Sequence, residues 1–256
     1  MSFDVTADAY GRFMGRYSER LAVGFADVAG CSAGQRALDV GCGPGALTAE
    51  LVTRLGPAAV SAVDPSPTFV AAARARFPEV DVRSGTAEYL PFPPAAFDVT
   101  LAQLVVHFMS DPAAGLREMG RVTRPGGVVA ACVWDHAQGS GPLTTFWRAV
   151  RDVDPSAHDE ADLPGVHEGD LVRLCEDAGL TGIEATTVTV AASFADFADW
   201  WEPFTLGVGP AGAYVAQLDA TQRQALRRRC GELLPRTGIV ISARAWAVRA
   251  HPPTSR

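Results

Sequence analysis

Ala37-Leu38-Asp39-Val40-Gly41-Cys42-Gly43-Pro44-Gly45-Ala46-Leu47 decides the fold. A short apolar run stops at Val40, three glycines follow at alternate positions, and a helical pattern starts at once at Ala46. A strand that passes through such a turn straight into a helix lets backbone approach a ligand closely and points the helix N-terminus at it. A nucleotide-like ligand is implied. The spacing Gly41-x-Gly43-x-x-Ala46 also satisfies the dinucleotide pattern, by itself a weak signal. Asp64 ends the next strand, about 20 residues on, where a carboxylate accepts hydrogen bonds from both ribose hydroxyls. The Pro-Ser-Pro that follows would also suit Asp64 as a helix N-cap, but the spacing favours the ribose.

Outward from this segment, short β-branched runs alternate with helical patterns, which specifies a parallel sheet with helices on its faces. Strands are predicted at 37–40, 60–63, 80–83, 98–102, 127–134, 183–190 and 239–248. Helices are predicted at 46–55, 67–77, 111–122, 142–152 and 169–178. Asp111-Pro112 supplies an N-cap and a first-turn proline, and Arg124-Pro125-Gly126-Gly127 ends that helix in a turn. No repeat divides the chain. We read 1–256 as one domain, with a helical cover at 1–30 and insertions at 137–168 and 191–237 forming a lid.

All 22 basic residues are arginine, which removes every mechanism needing an ε-amine, from a P-loop lysine to a pyridoxal Schiff base. A net charge of −7 argues against nucleic acid or anionic lipid as a partner. No signal-peptide pattern and no apolar run of membrane-spanning length are found, and five cysteines without a C-x-x-C pair fit reduced thiols. A cytoplasmic protein is expected, with no metal and with its oligomeric state open.

Four motifs in order, LDVGCGPGALT at 38–48, VDPSP at 63–67, SGTAEYLPFPPAAFDVT at 84–100 and EMGRVTRPGGVVA at 118–130, resemble those of the class I S-adenosylmethionine (SAM)-dependent methyltransferases. The resemblance is strongest to the group typified by ubiquinone and menaquinone biosynthesis. It implies a doubly wound, Rossmann-like α/β fold of seven strands with the last antiparallel, and SAM as cofactor with S-adenosylhomocysteine as product. It further implies that Gly41, Cys42 and Gly43 lie under the methionine part of SAM, with Asp39 acting through the turn. Asp64 would bind the ribose, Pro65 and Ser66 would flank the adenine, and Thr86 and Ala87 would contact it. Thr86 departs from the family, which often has Asp there. Gln103 and Leu104 match the place that faces the sulfonium. The stretch from Tyr10 to Tyr17 matches a segment that folds over SAM, where Tyr10 offers an aromatic face and Arg16 a planar fork for a carboxylate. An amphipathic helix on the sheet would show the same pattern.

The reaction expected is in-line transfer of the methyl group to a small or medium-sized, partly apolar acceptor. His107, and secondarily His136, is the candidate base, although His107 sits in an apolar run where a core histidine is equally at home. Tyr17, His107, Trp134, Trp147, Trp200 and Trp201 are the candidate acceptor pocket. Trp200 and Trp201 are adjacent and cannot share one helix face, so one is expected over the acceptor. O-, N- and C-acceptors all suit this geometry. A nicotinamide-dependent oxidoreductase and a non-catalytic SAM-binding protein are the alternatives.

Other constellations carry less. Gly30-x-Ser32-x-Gly34 mimics a hydrolase elbow, but a helix precedes it and a strand follows, the reverse of what an elbow needs. The acidic and histidine-bearing stretch from Asp152 to Asp170 reads as a solvated loop, and Arg223, Arg227, Arg228 and Arg229 as a solvated helix face. Cys42 near a helix N-terminus would have a lowered thiol pKa, although packing is its expected role.

Overall fold

The computed structural model describes residues 5 to 253; the outer ends of the N-terminal cover and of the predicted single domain, 1–4 and 254–256, lie outside the described residues. Its strands are β1 (Ala37–Val40), β2 (Val60–Asp64), β3 (Asp81–Ser84), β4 (Phe97–Gln103), β5 (Thr123–Trp134), β6 (Thr181–Phe194) and β7 (Ile239–His251). They form one seven-stranded sheet in the order β3-β2-β1-β4-β5-β7-β6. β1 to β5 are parallel, and β7 runs antiparallel to both β5 and β6. This is the expected doubly wound, Rossmann-like α/β fold with its last strand reversed. The chain leaves β1 toward β2 on one side and returns to β4 on the other, which opens a crevice at the carboxyl ends of β1 and β4.

The helices are α1 (Ala7–Tyr10), α2 (Arg16–Val28), α3 (Ala46–Leu55), α4 (Pro67–Arg76), α5 (Pro112–Val122), α6 (Thr144–Val153), α7 (Asp170–Asp177), α8 (Phe197–Trp201), α9 (Gly209–Gln217) and α10 (Ala220–Leu233). A π-helical turn at Gly11–Gly15 joins α1 to α2. Starts follow from caps. Ser66 accepts the Phe69 N–H ahead of Pro67 in α4, Asp111 accepts the Ala114 N–H ahead of Pro112 in α5, and Asp219 forms a capping box with Gln222 in α10.

β1 and β2 are buried at every position, as strands covered on both faces must be. Alternate residues feed different cores. Leu38 and Val40 join Leu116, Met119 and Leu171 beneath α5 and α7. Ala37 joins Leu21, Phe25, Leu47 and Leu51 on the face of α2 and α3. Each fully buried large apolar side chain contributes about 1.5–3 kcal/mol relative to exposure, so these two layers hold the sheet rigid behind the crevice.

Two boundaries differ most from the sequence reading. β5 begins at Thr123, which pairs with Phe97, and the pairing slips before Val99 meets Val128. The residues read as a turn, Arg124 to Gly127, are therefore an irregularity within the strand. β6 continues through Ala191 to Phe194 against Ile239 to Ser242, so the helical segment begins only after Phe194. Near that end of β6, the carbonyls of Ala191 and Ser193 accept hydrogen bonds from Arg20 and Arg16 of α2. No helix among the described residues is long and apolar enough to cross a membrane.

Candidate active site

The turn after β1 is held from two sides. The N–H groups of Gly41 and Cys42 donate to the Val63 carbonyl at 2.8 and 3.0 Å, and the Gly43 N–H donates to Asp64 Oδ2 at 2.9 Å. Gly41 has φ +70°, and a Cβ there would lie 2.5 Å from Val105 Cγ2, so the position demands glycine. Gly43, at φ +53°, would meet nothing within 4 Å. Gly45, at φ +93°, starts α3 against the ring of Phe77, 2.4 Å from where its Cβ would be. This turn forms one wall of a cleft of about 670 Å³.

Tyr10, Gly41, Gly43, Asp64, Pro65, Ser66, Thr86, Ala87, Gln103 and Leu104 all line this cleft. Asp39 and Cys42 are buried beneath it. The two Asp64 oxygens accept from Gly43 and from the Ser66 N–H at 2.8 Å, which leaves lone pairs for two further donors. Burial holds its pKa above the usual carboxylate range, against those two N–H groups. Asp39 accepts the Thr48 hydroxyl at 2.6 Å, and burial, opposed by that bond and aided by the Asp64 charge, pushes its pKa up to about 7. Gln103 donates to the Ser18 carbonyl at 3.0 Å while its Oε1 is buried without a partner among the described residues. Leu104 has φ +62°, a rare and strained conformation for a branched residue.

Among the described residues the charged side chains lining this cleft are Asp64 and Glu88, and no arginine joins them. Such a cleft suits a cation and repels the pyrophosphate of a dinucleotide.

Comparison with known proteins agrees with this chemistry. The family described as methyltransferase domain matches residues 38–131. A malonyl-[acyl-carrier protein] O-methyltransferase of Serratia marcescens is 36% identical over 131 residues, 51% of this chain. The chain spans about half the length of that relative, 49%. The same-named protein of Dechloromonas aromatica is 33% identical over 199 residues, 77% of this chain and 70% of its own. The chain belongs to the class I SAM-dependent methyltransferases. Among solved structures, a phosphoethanolamine N-methyltransferase of Haemonchus contortus in complex with S-adenosylhomocysteine superposes with a TM-score of 0.59 at 16% identity. It covers 96% of this chain and 57% of its own, a likeness of fold alone.

The methyltransferase site fits SAM on its own observations. The acidic lining matches a net cation, Asp64 keeps acceptor capacity for a diol, Gln103 Oε1 is an orphaned acceptor, and the Gly43 side of the turn is open. The nicotinamide alternative falls with the family assignment.

Several candidate residues of the methyltransferase lie elsewhere. Arg16 is not in the cleft: both of its terminal nitrogens are bound by Asp199, at 2.5 and 2.9 Å, one also donates to the Ser193 carbonyl, and the guanidinium stacks on Phe194. Three of its five N–H donors are thus engaged on α8 and β6, and the cleft lining does not include it. Trp200 and Trp201 are 2% and 5% exposed and line no cavity described here; they pack on Phe197 and Phe204 within the helical segment. Neither lines the cleft. α8 ends at Trp201 and passes into a tighter 3-10 turn, so the two diverging indoles are both covered. Tyr17 is likewise core, edge-on to Trp134 at 6.2 Å. The Cys42 thiol pKa is raised, not lowered, by burial and by the Asp39 and Asp64 charges, and α3 begins only four residues later, at Ala46.

Beyond Leu104 lies a second cavity of about 40 Å³, which shares Tyr10, Leu104 and Phe108 with the cleft. His107 and Trp134 line it. Both carry a buried nitrogen, His107 Nδ1 and Trp134 Nε1, without a partner among the described residues. Burial, reinforced by His136, holds the His107 pKa well below the usual histidine value. His136 also lines the cavity, its ring 6.2 Å from that of His107. Trp147 borders instead a separate recess of about 20 Å³.

Glu160 is the residue that sequence reasoning missed. It lies in the acidic stretch read as solvated, yet it is 5% exposed, lines the small cavity and accepts the Trp147 indole N–H at 2.7 Å. Burial pushes its pKa up to about 7 against that hydrogen bond. Asp159 pairs with Arg151, Asp170 with Arg173, and Asp152 with Arg229 of the basic helix face.

Proposed function

We propose that the protein transfers a methyl group from SAM, held in the acidic cleft, to a small acceptor whose reacting atom sits in the cavity beyond Leu104. The observation that carries this is the junction itself: the strained Leu104 borders both spaces, with an orphaned acceptor, Gln103 Oε1, on the cofactor side and an orphaned ring nitrogen, His107 Nδ1, on the other. SAM supplies a methyl group already activated on a sulfonium. What the chain provides is alignment and exclusion of water. Asp64 fixes the ribose, Thr86 and Ala87 border the adenine, Tyr10 covers the cleft, and His107, neutral at physiological pH, accepts a proton at a ring nitrogen.

The cover, from residue 5 to residue 30, and the segments 137–168 and 191–237 act as the lid of one domain: Tyr10, Phe13, His136, Leu143, Glu160 and Val208 all reach the cavity from them or from their borders. Five free, buried cysteines support a reducing compartment, the cytoplasm. A titration with SAM, followed by mass spectrometry of a metabolite extract incubated with labelled SAM, tests the reading. Binding together with a labelled small product is expected. Binding with no transfer to any compound would leave a SAM-binding protein without catalysis, and absence of binding would overturn the reading.

A further inference from the structure

The small cavity bears on the acceptor's chemical class, an inference that rests on the methyl-transfer reading. Its titratable lining is Tyr10, His107, His136 and Glu160, and among the described residues no arginine reaches it. The guanidinium of Arg151 borders the separate 20 Å³ recess and is committed to Asp159. The rest of the wall is apolar or aromatic, including Phe13, Leu104, Phe108 and Trp134. With about 40 Å³ the space holds a few waters or one small functional group, so only the reacting end of an acceptor enters.

We infer that the cavity selects a neutral, hydroxyl-bearing acceptor and rejects carboxylates, with Glu160 as the residue that sets this preference. A carboxylate brought there would be stripped of water with no cation to compensate, beside a buried acid. A hydroxyl meets suitable partners instead: the orphaned His107 Nδ1 to accept its proton, and the indole N–H of Trp134 to donate to its oxygen. In the transfer, the acceptor oxygen forms its bond to the methyl carbon as the carbon–sulfur bond breaks. The electron pair stays on sulfur, giving S-adenosylhomocysteine, and the hydroxyl proton passes to His107 and then to solvent. Atoms and charge balance without any further reactant. The groups that share Glu160's surroundings are the Trp147 indole, Tyr10, His107 and His136 across the cavity, and Asp159, itself paired with Arg151.

The test uses calorimetry on the full chain saturated with S-adenosylhomocysteine, comparing 4-methylphenol with 4-methylbenzoate. At pH 8 the phenol is expected to bind at least about tenfold more tightly, the size of effect a buried uncompensated charge produces. Glu160→Gln keeps an acceptor for Trp147 and should narrow that gap severalfold by improving the benzoate alone. In the unaltered protein, benzoate affinity should fall between pH 6 and 8 while phenol affinity holds, an observation that does not depend on the variant folding. Equal or tighter benzoate binding, or no binding of either probe to the loaded protein, would overturn the assignment while leaving the cofactor reading intact. Failure of S-adenosylhomocysteine itself to bind would overturn both.

Discussion

The carboxylate of Asp64, at the end of β2, accepts the N–H of Gly43, 21 residues earlier in the turn after β1, at 2.9 Å. One side chain therefore both shapes the glycine turn and faces the cleft. Asp64→Ala removes the ribose acceptor and the brace together. At about 1.5–3 kcal/mol per hydrogen bond to a charged group, SAM affinity should fall by about 100-fold or more. Asp64→Asn, which retains one acceptor oxygen, should lose less. Calorimetric titration reads both, and an unchanged affinity in Asp64→Ala would confine the residue to a structural role.

The raised pKa of Asp39 makes two measurable demands. Between its ordinary value and about 7 the folded protein holds a proton on Asp39 that the unfolded chain has released, so the Asp39 contribution to ligand-free stability should fall as pH rises through that window. SAM, a cation, favours the ionised carboxylate, so its affinity should climb over the same window and level off above about 7. Thermal melts and titrations from pH 5 to 8 read the two trends. Glu160 and Asp64 contribute to the first with the same sign, and the buried His107 and His136, whose pKa values are lowered, with the opposite one, so what isolates Asp39 is the difference from Asp39→Asn: relative to that variant, the unaltered protein should lose stability and gain SAM affinity as pH rises.

Arg16 should behave as a fastener. Its pair with Asp199 is partly exposed, at 39% and 28% of the two side chains, so screening holds the pair to about 1 kcal/mol or less. Adding the Ser193 carbonyl and the Phe194 ring brings the expected cost of Arg16→Ala to about 1–2 kcal/mol, a drop in melting temperature of a few degrees. SAM affinity should stay within about twofold. A tenfold loss would restore a role at the cofactor.

Trp200 packs against Phe204 with ring centroids 4.8 Å apart and is almost fully buried. Trp200→Ala should therefore cost about 3–5 kcal/mol of stability, with Trp200→Phe costing much less. Chemical denaturation measures this. A variant of unchanged stability with a raised acceptor KM would return the indole to the acceptor pocket.

What was legible in the sequence is what neighbours in the chain decide. The turn at Gly41 to Gly45 and the carboxylate at Asp64 are fixed by a strand end and its local spacing, so their positions in the cleft followed from short motifs. Arg16 was misread because its partner, Asp199, lies 183 residues away and nothing nearby announces it. Glu160 was hidden for the same reason. Its surroundings, Asp159 and Asp162, are those of a solvated loop, and only the fold brings it under Trp147. The reasoning that separated Trp200 from Trp201 was sound about helix faces but assumed one face open, whereas the 3-10 turn at Glu202–Leu206 covers both.

β7 is the last strand among the described residues yet lies inside the sheet, between β5 and β6. During synthesis, β5 must wait as an open edge and β6 without any strand partner until Ile239–His251 leaves the ribosome. The cleft is different. Its lining runs from Tyr10 to Ser110, all of it made early. A nascent chain can thus shape the cofactor half first, while the half that carries the segments 137–168 and 191–237 closes only once β7 has been made, and until then exposed strand edges are the chief hazard.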